Sequence, residues 1–141
     1  IMKYLIIGLG NFGMTLAKEL NDKGHEVIGI DNDEHRVEEI KDRISIAYIM
    51  DATERLSLKA LPLDEIDCVV VAIGQSMDCS LRTVAALKEL GVNKKIYARA
   101  IDQTHQSILK AMNIHRIFMP ESYAARIFAV KFTDDSSEDL L

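Results

Sequence analysis

The chain has 141 residues, of which 48% are hydrophobic and 28% are charged, and this composition is typical of one soluble globular domain with a real core. Its formal net charge of -5 argues against a nucleic-acid groove or a basic patch for a membrane surface. No apolar run approaches the roughly 18 residues that a membrane-spanning helix needs, and no signal peptide opens the sequence. The two cysteines, Cys68 and Cys79, lack CxxC spacing and are interpreted as reduced thiols of a cytoplasmic protein.

Short apolar runs alternate with amphipathic stretches along the chain. Most of the runs are nearly continuous in Val, Ile, Leu and Ala, which is typical of strands covered on both faces, as in a parallel sheet. The runs predicted as strands are 3–7, 26–30, 46–50, 68–73, 96–100 and 116–119.

The stretches between these runs carry helical spacing and signals for helix ends. Phe12 and Leu16 lie on one face of the first predicted helix, and Gly24 is its expected stop. Asp33 and Thr53 are candidate N-caps of the next two helices, which are short.

The second half of the chain continues the alternation. The longest helix is predicted over 76–90, with Gly91 as its stop, and another opens at Asp102. A final helix is predicted over 121–132, and an acidic flexible tail over 134–141. The final helix is apolar although the sheet is already covered, so we expect it to contact another subunit, with packing against its own domain as the alternative.

Regular alternation of strands and helices predicts right-handed βαβ units. The fold class is therefore α/β: a Rossmann-like, doubly wound, six-stranded and mainly parallel sheet that ends in a C-terminal helix. We expect one nucleotide-binding domain over residues 2–133.

The motif GLGNFG separates the first predicted strand from the first helix. Gly8 permits a tight turn, Gly10 lets the backbone approach a pyrophosphate, and Gly13 lets helix and strand pack closely. Asp31 ends the second predicted strand, 18 residues after Gly13, close to the spacing of a ribose-binding acid. Its carboxylate would accept hydrogen bonds from both ribose hydroxyls and repel a 2′-phosphate, which favours NAD over NADP.

Other polar residues follow the later strands, where a ligand of such a sheet lies. Residues 51–53 are candidates for the adenine edge, with a simple Thr53 helix cap as the alternative. Gly74 and Gln75 can lie under the ribose. Arg99 can reach phosphates, or it can form an exposed salt bridge instead.

The sequence lacks the groups that catalysis would require. A hydride-transferring enzyme needs a substrate pocket and a general acid or base near the nicotinamide, and of the scattered histidines only His105 falls at a strand-to-helix junction on the ligand side. Metal-ligand spacing and the GK[ST] of a P-loop are both missing. We therefore expect a protein that holds a nucleotide and is not an enzyme. An NAD-dependent oxidoreductase domain and an assembly module with a vestigial site are the alternatives.

Several motifs in order give the chain a familiar outline. They are GLGNFG, then IDND at 30–33, DATE at 51–54, VVVAIG at 69–74 and RIFMPES at 116–122. Together they resemble the regulator-of-potassium-conductance (RCK, TrkA-N) family, especially the Ktr-type cytosolic regulators of potassium uptake.

The resemblance implies a function for the whole assembly. Members of this family bind NAD, NADH, ADP or ATP in this lobe and form homodimers within an octameric ring. The ring docks on a membrane-embedded potassium channel or transporter and passes the ligand state to its gate. The implied location is the cytoplasm, at the inner face of the membrane through that partner. The resemblance also makes the last helix a crossover helix, followed by a second lobe that this chain does not include.

The resemblance further implies which residues surround the ligand. The residues that it assigns to the site are Gly8, Gly10, Asn11, Phe12, Gly13, Asp31, Asn32, Asp33, Asp51, Ala52, Thr53, Ile73, Gly74, Gln75, Arg99, His105 and Glu121. Among them, Glu121 is expected to face the phosphates from across a dimer interface. Asn11 and Phe12 stand where Ktr-type members often carry an arginine for a terminal phosphate. Arg99 and Ile101 replace the carboxylates of calcium-gated relatives, so no metal site is predicted.

Overall fold

Six strands and six α-helices make up the computed structural model, which describes residues 1–134. The strands are β1 (Lys3–Ile7), β2 (Glu26–Asp31), β3 (Ile46–Ile49), β4 (Cys68–Val71), β5 (Lys95–Arg99) and β6 (Arg116–Phe118). The helices are α1 (Asn11–Asp22), α2 (Glu34–Ile40), α3 (Arg55–Lys59), α4 (Met77–Glu89), α5 (Gln103–Ala111) and α6 (Pro120–Thr133). The predicted acidic tail lies outside the described residues, apart from Asp134.

The strands form one sheet in the order β3-β2-β1-β4-β5-β6, and each described pair is parallel. The chain winds from β1 outward to β3, crosses to the other edge of β1, and winds outward again from β4 to β6. The doubly wound fold predicted from the sequence is therefore confirmed. The order of the strands reverses between β1 and β4, and this is the point where a cleft opens at the carboxyl ends of the strands.

Both faces of the sheet are buried. Leu5 and Ile7 of β1 pack into the layer that contains α4 and α5, whereas Ile6 packs into the layer that contains α1 and α2. Burial on both faces explains why the strand sequences are continuous rather than alternating.

Most of the predicted helix ends are confirmed. Gly24 and Gly91 follow α1 and α4 with φ of 92° and 74°, a left-handed conformation that suits glycine. The side chains of Asp33, Ser76 and Asp102 cap α2, α4 and α5, each accepting a hydrogen bond from a backbone N–H of the first turn.

The interpretation of Thr53 as a helix cap is wrong. The N-cap of α3 is Glu54, and its side chain makes no capping hydrogen bond. Thr53 instead donates from its backbone N and its Oγ1 to Oδ1 of Asp51, at 2.9 and 2.6 Å. Asp51 thereby closes a local turn shortly after the end of β3.

None of the helices within residues 1–134 is long and apolar enough to cross a membrane.

Candidate functional site

A cleft of about 480 Å³ opens at the carboxyl ends of the strands. It is lined by the segments that follow β1, β2, β3 and β4, by the start of α4, and by Arg99 and Glu121 on the far side. Its volume is within the range of small-molecule sites, and its place at the reversal of strand order is where such sheets bind ligands.

The three glycines of the loop have different structural roles. Gly8 has a φ of 97°, and a Cβ on Gly13 would lie 1.9 Å from the carbonyl oxygen of Gly8. The fold itself therefore requires both residues to be glycine. A Cβ on Gly10 would meet nothing nearer than Nη1 of Arg36, at 3.8 Å. Gly10 is thus free of packing constraint, and its lack of a side chain keeps the cleft open.

Helix α1 directs its amino end into the cleft. Its first hydrogen bond runs from Met14 N to Gly10 O at 2.8 Å, and Asn11 and Phe12 line the cleft. The backbone N–H groups of a first helical turn have no partner within the helix, and with the helix dipole they favour an anion. This end of α1 is therefore suited to a phosphate.

Asp31 ties the glycine loop to the end of β2. Its side chain is 7% exposed, and Oδ2 accepts a hydrogen bond from Leu9 N at 2.7 Å while Oδ1 accepts one from Asp33 N at 2.8 Å. A carboxylate has about four acceptor positions, so Asp31 can still accept from a ribose hydroxyl. The structure thus gives this residue a role in the fold in addition to the predicted role in the site.

Arg36 is a cleft residue that sequence reasoning missed. Its Nη1 lies 3.7 Å from Oδ2 of Asp31, and its Nε lies 3.8 Å from Oδ2 of Asp33. The signal was present, because Arg36 is one helical turn beyond the Asp33 cap of α2. Its positive charge offsets the negative charge of Asp31. Repulsion of a 2′-phosphate by Asp31 is therefore weaker than the sequence alone indicates.

The ends of β3 and β4 supply the remaining walls. Asp51, Ala52 and Thr53 line one side, and Ile73, Gly74 and Gln75 line the other, as predicted. Helix α4 adds residues that were not predicted to bind ligand, Cys79 and Thr83. The Thr83 hydroxyl is buried and has no hydrogen-bond partner within the described part of the chain. Buried hydroxyls are normally bonded, so the unpaired Thr83 hydroxyl is an exception in the wall of the cleft.

Arg99 closes the side of the cleft opposite Asp31. It ends β5, its side chain is 15% exposed, and Nη2 donates a hydrogen bond to Oε1 of Glu121 at the start of α6. Its guanidinium also lies 5.9 Å from the centre of the Phe12 ring, within the range of a cation–π contact. Glu121, which the resemblance placed across a dimer interface, therefore already lies on the rim of its own chain's cleft.

The structure corrects the placement of His105. Its side chain is fully buried and does not line the cleft. Nδ1 accepts a hydrogen bond from Ile101 N at 3.0 Å, and Nε2 lies 3.0 Å from Oγ of Ser80. Burial lowers the pKa of His105, and the nearby Asp102 carboxylate partly opposes this effect. Through these two contacts His105 joins α4 to the segment between β5 and α5, behind the residues that line the cleft.

Two more of the predicted residues stand behind the cleft rather than in it. Gly13 packs beneath the loop, and Asp33 caps α2 and faces Arg36. The other predicted residues line the cleft. Residues 1–134 hold no group of three or more His, Cys, Asp or Glu that could bind a metal ion.

This arrangement has close relatives among known proteins. The sequence profile of the TrkA-N domain matches residues 4–120. The chain belongs to the TrkA-N domain family. This TrkA-N domain is 36% identical over 139 residues to the Ktr system potassium uptake protein C of Bacillus subtilis, covering 99% of the chain and 62% of that protein. It is 34% identical over 119 residues to the Ktr system potassium uptake protein A of Vibrio alginolyticus, covering 84% of the chain and 54% of that protein. The TrkA-N domain described here thus spans only part of the length of these relatives.

Solved structures share the fold. The NAD(P)-binding domain of an exopolyphosphatase-related protein from Archaeoglobus fulgidus superposes with a TM-score of 0.81 at 20% identity, covering 94% of this chain and 98% of that one. The Kef C-terminal domain of Shewanella denitrificans in its AMP-bound form gives 0.75 at 22% identity, with 96% and 84% coverage. The GsuK channel bound to NAD gives 0.72 at 14% identity, with 82% and 21% coverage. At these identities the likeness concerns the fold alone.

Proposed function

We propose that this TrkA-N domain binds an adenine nucleotide, NAD(H) or ADP/ATP, in the cleft, and that it reports the bound state to a potassium uptake system. The observation that carries the proposal is the bond from Leu9 N to Asp31, which fixes the glycine loop beside a carboxylate that could accept hydrogen bonds from a ribose. A phosphate at the start of α1 and a ribose at Asp31 would then belong to one nucleoside phosphate.

The relatives support the regulatory part of the proposal. The Ktr proteins are named for potassium uptake, and two chains of the same fold are described with AMP or NAD bound. Such a domain would lie in the cytoplasm, at the inner face of the membrane, and would act on a membrane-embedded channel or transporter. Only a ligand that binds two arrangements of the assembly with different affinity can shift the equilibrium between them.

The proposal also includes the absence of catalysis. No histidine lines the cleft within residues 1–134, and His105 is held by Ser80 and Ile101 away from it. Hydride transfer would need a proton donor or acceptor near the nicotinamide. We therefore expect bound NADH to survive incubation with common carbonyl metabolites, and oxidation that depends on one of them would overturn this part.

We further propose that the domain forms a homodimer through α6, as part of an octameric ring in the full-length protein. Tyr123, Ile127 and Val130 recur at helical spacing on one face of this helix, and their exposed fractions are 63%, 37% and 69%. An apolar face of this kind is typical of a protein interface. Replacing Ile127 and Phe128 by aspartate should convert a dimer to a monomer in light scattering, whereas an unchanged mass with intact fold would contradict the interface.

Isothermal titration calorimetry with NAD, NADH, ADP and ATP tests the central claim. At least one of these should bind with a dissociation constant below 1 mM, and the absence of such binding would refute nucleotide sensing. Gly10→Ala is the informative variant, because a Cβ there meets no protein atom closer than 3.8 Å. It should retain the fold and lose affinity for every phosphorylated ligand.

A further inference from the structure

Arg99 is the cation that faces the cleft from β5, and its position depends on the absence of a side chain at Gly74. A Cβ on Gly74 would lie 2.8 Å from Nη1 and 2.9 Å from Cζ of Arg99. The guanidinium therefore lies directly against the backbone at the end of β4. With its side chain 15% exposed, Arg99 has little room for other orientations.

The same guanidinium faces the start of α1. Phe12, whose ring lies beneath it, is the second residue of α1 and part of the glycine loop. The charge of Arg99 and the amino end of α1 are thus directed at one region of the cleft. A nucleotide whose first phosphates lie at the glycine loop would extend its next group toward Arg99.

The guanidinium of Arg99 is already paired with a carboxylate of the protein. Oε1 of Glu121 accepts a hydrogen bond from Nη2, and the Glu121 side chain is 74% exposed. An ion pair whose carboxylate is this exposed is weak, so a dianionic phosphate can displace Glu121, but at a measurable loss of affinity. A ligand whose distal group is uncharged does not meet this competition.

We propose that Glu121 is a charge-specificity residue, which competes with the terminal phosphate of a bound nucleotide for Arg99. This inference rests on the proposed nucleotide binding. It assigns the cleft a preference for ligands with a neutral distal group, such as the nicotinamide riboside of NADH, over ADP and ATP when no divalent cation is present. Displacement of Glu121 by a phosphate also removes the side-chain hydrogen bond from Arg99 of β5 to the start of α6, so polyphosphates and NADH would act differently on that contact.

The test compares Glu121→Gln with a matched control. Asp78 lies in the first turn of α4, and its carboxylate pairs with Arg82 on the surface at 3.0 Å, outside the cleft. Asp78→Asn therefore removes one carboxylate of the same kind without touching Arg99. Calorimetry in EDTA would measure the dissociation constants of NADH, ADP, ATP and adenosine for wild type and both variants.

We expect Glu121→Gln to tighten ATP and ADP binding about fivefold, the equivalent of a weak ion pair, and to leave NADH and adenosine within twofold. Asp78→Asn should leave all four unchanged. An unaltered ratio of ATP to NADH affinity in Glu121→Gln would overturn the inference while leaving nucleotide binding intact. Failure of every nucleotide to bind wild type would instead refute the proposed function.

Discussion

Two charged pairs stand at opposite sides of the cleft, and they are built differently. Asp31, beside Arg36, is 7% exposed in its side chain, and its two oxygens accept hydrogen bonds from backbone amides. Glu121, beside Arg99, is 74% exposed and bonds to a side chain. The first pair is part of the fold, whereas the second can exchange one partner for another.

Both sides of the cleft adjoin the glycine loop, and Gly13→Ala should disrupt the packing of that loop. This substitution has the largest expected effect. A Cβ there would lie 1.9 Å from the Gly8 carbonyl oxygen, which is backbone and cannot move aside cheaply. We expect a loss of roughly 4 kcal/mol in the free energy of unfolding, measured by urea denaturation. Gly10→Ala is the control and should unfold nearly as wild type. Equal stability of the two variants would contradict the division of roles among the glycines.

Asp31→Ala breaks the fixed side of the cleft. It leaves Leu9 N and Asp33 N without their acceptor, at a cost of about 3 kcal/mol for the two amides, and it should also weaken binding of all four nucleotides. Asp33→Ala removes the cap of α2 and a long, half-exposed ion pair with Arg36, so it should cost only about 1 kcal/mol. Unfolding midpoints in urea for the two variants would show the difference. A stability loss no greater for Asp31→Ala than for Asp33→Ala would mean that the carboxylate does not hold the loop.

Acid is expected to loosen the Arg99 side selectively, through His105. Because Nδ1 accepts from Ile101 N, the neutral ring carries its proton on Nε2 and donates it to Ser80, so a second proton on Nδ1 would displace the Ile101 bond. Burial lowers the pKa of His105 in the folded state below its ordinary value of 6.5, so the unfolded chain binds the proton first as the pH falls. The contribution of this histidine to stability is therefore complete above about pH 6.5 and declines below it.

Hydrogen exchange would measure this effect, which should be smaller than that of Asp31→Ala. The Ile101 amide should lose protection between pH 7 and 5 relative to the Leu9 amide, after correction for the intrinsic rate. The slope of unfolding free energy against pH should flatten in His105→Asn and persist in His115→Asn, whose ring is on the surface. Persistence of the slope in His105→Asn would assign it to another group.

Glu121→Gln should change stability least of all, by at most about 1 kcal/mol, because the carboxylate of its ion pair is 74% exposed. Thermal unfolding without ligand is the measurement, and Asp78→Asn should behave alike. A large destabilisation would show that the Arg99 side is as much a part of the fold as the Asp31 side, and would remove the difference between the two.

Strand ends that depend on the local sequence pattern were predicted correctly. The run Lys3–Ile7 is apolar after its first residue, and the strand has both predicted ends. The predicted fourth strand extended to Ile73, but β4 ends at Val71, which pairs with Ile7 at the end of β1. Beyond that point the chain turns into the cleft. Strand ends of this kind depend on how far a neighbour extends, which periodicity does not reveal.

The site divides in the same way. The sequence placed the glycine loop and Asp31 together because their spacing follows a known motif, and Leu9 N of the loop donates a hydrogen bond to Asp31. The partners of Arg99 and His105 were not predicted, because those contacts join residues on different elements: Glu121 is 22 positions from Arg99, and Ser80 is 25 from His105. A histidine at a strand-to-helix junction looks the same in sequence whether its ring faces a ligand or a neighbouring helix.

The central position of β1 bears on how the protein is made. One edge of β1 pairs with β2, the next strand in the sequence. The other edge pairs with β4, in which Cys68 lies opposite Tyr4 although it follows Tyr4 by more than sixty residues. During synthesis the Asp31 side of the cleft can assemble while the second edge of β1 is still open to other chains. The arrival of β4 closes that edge, and Arg99 and Glu121 leave the ribosome later still. The Asp31 side of the cleft, which is fixed by backbone hydrogen bonds, can thus fold first. The Arg99 side, with its exposed carboxylate, is added after the first strands have paired.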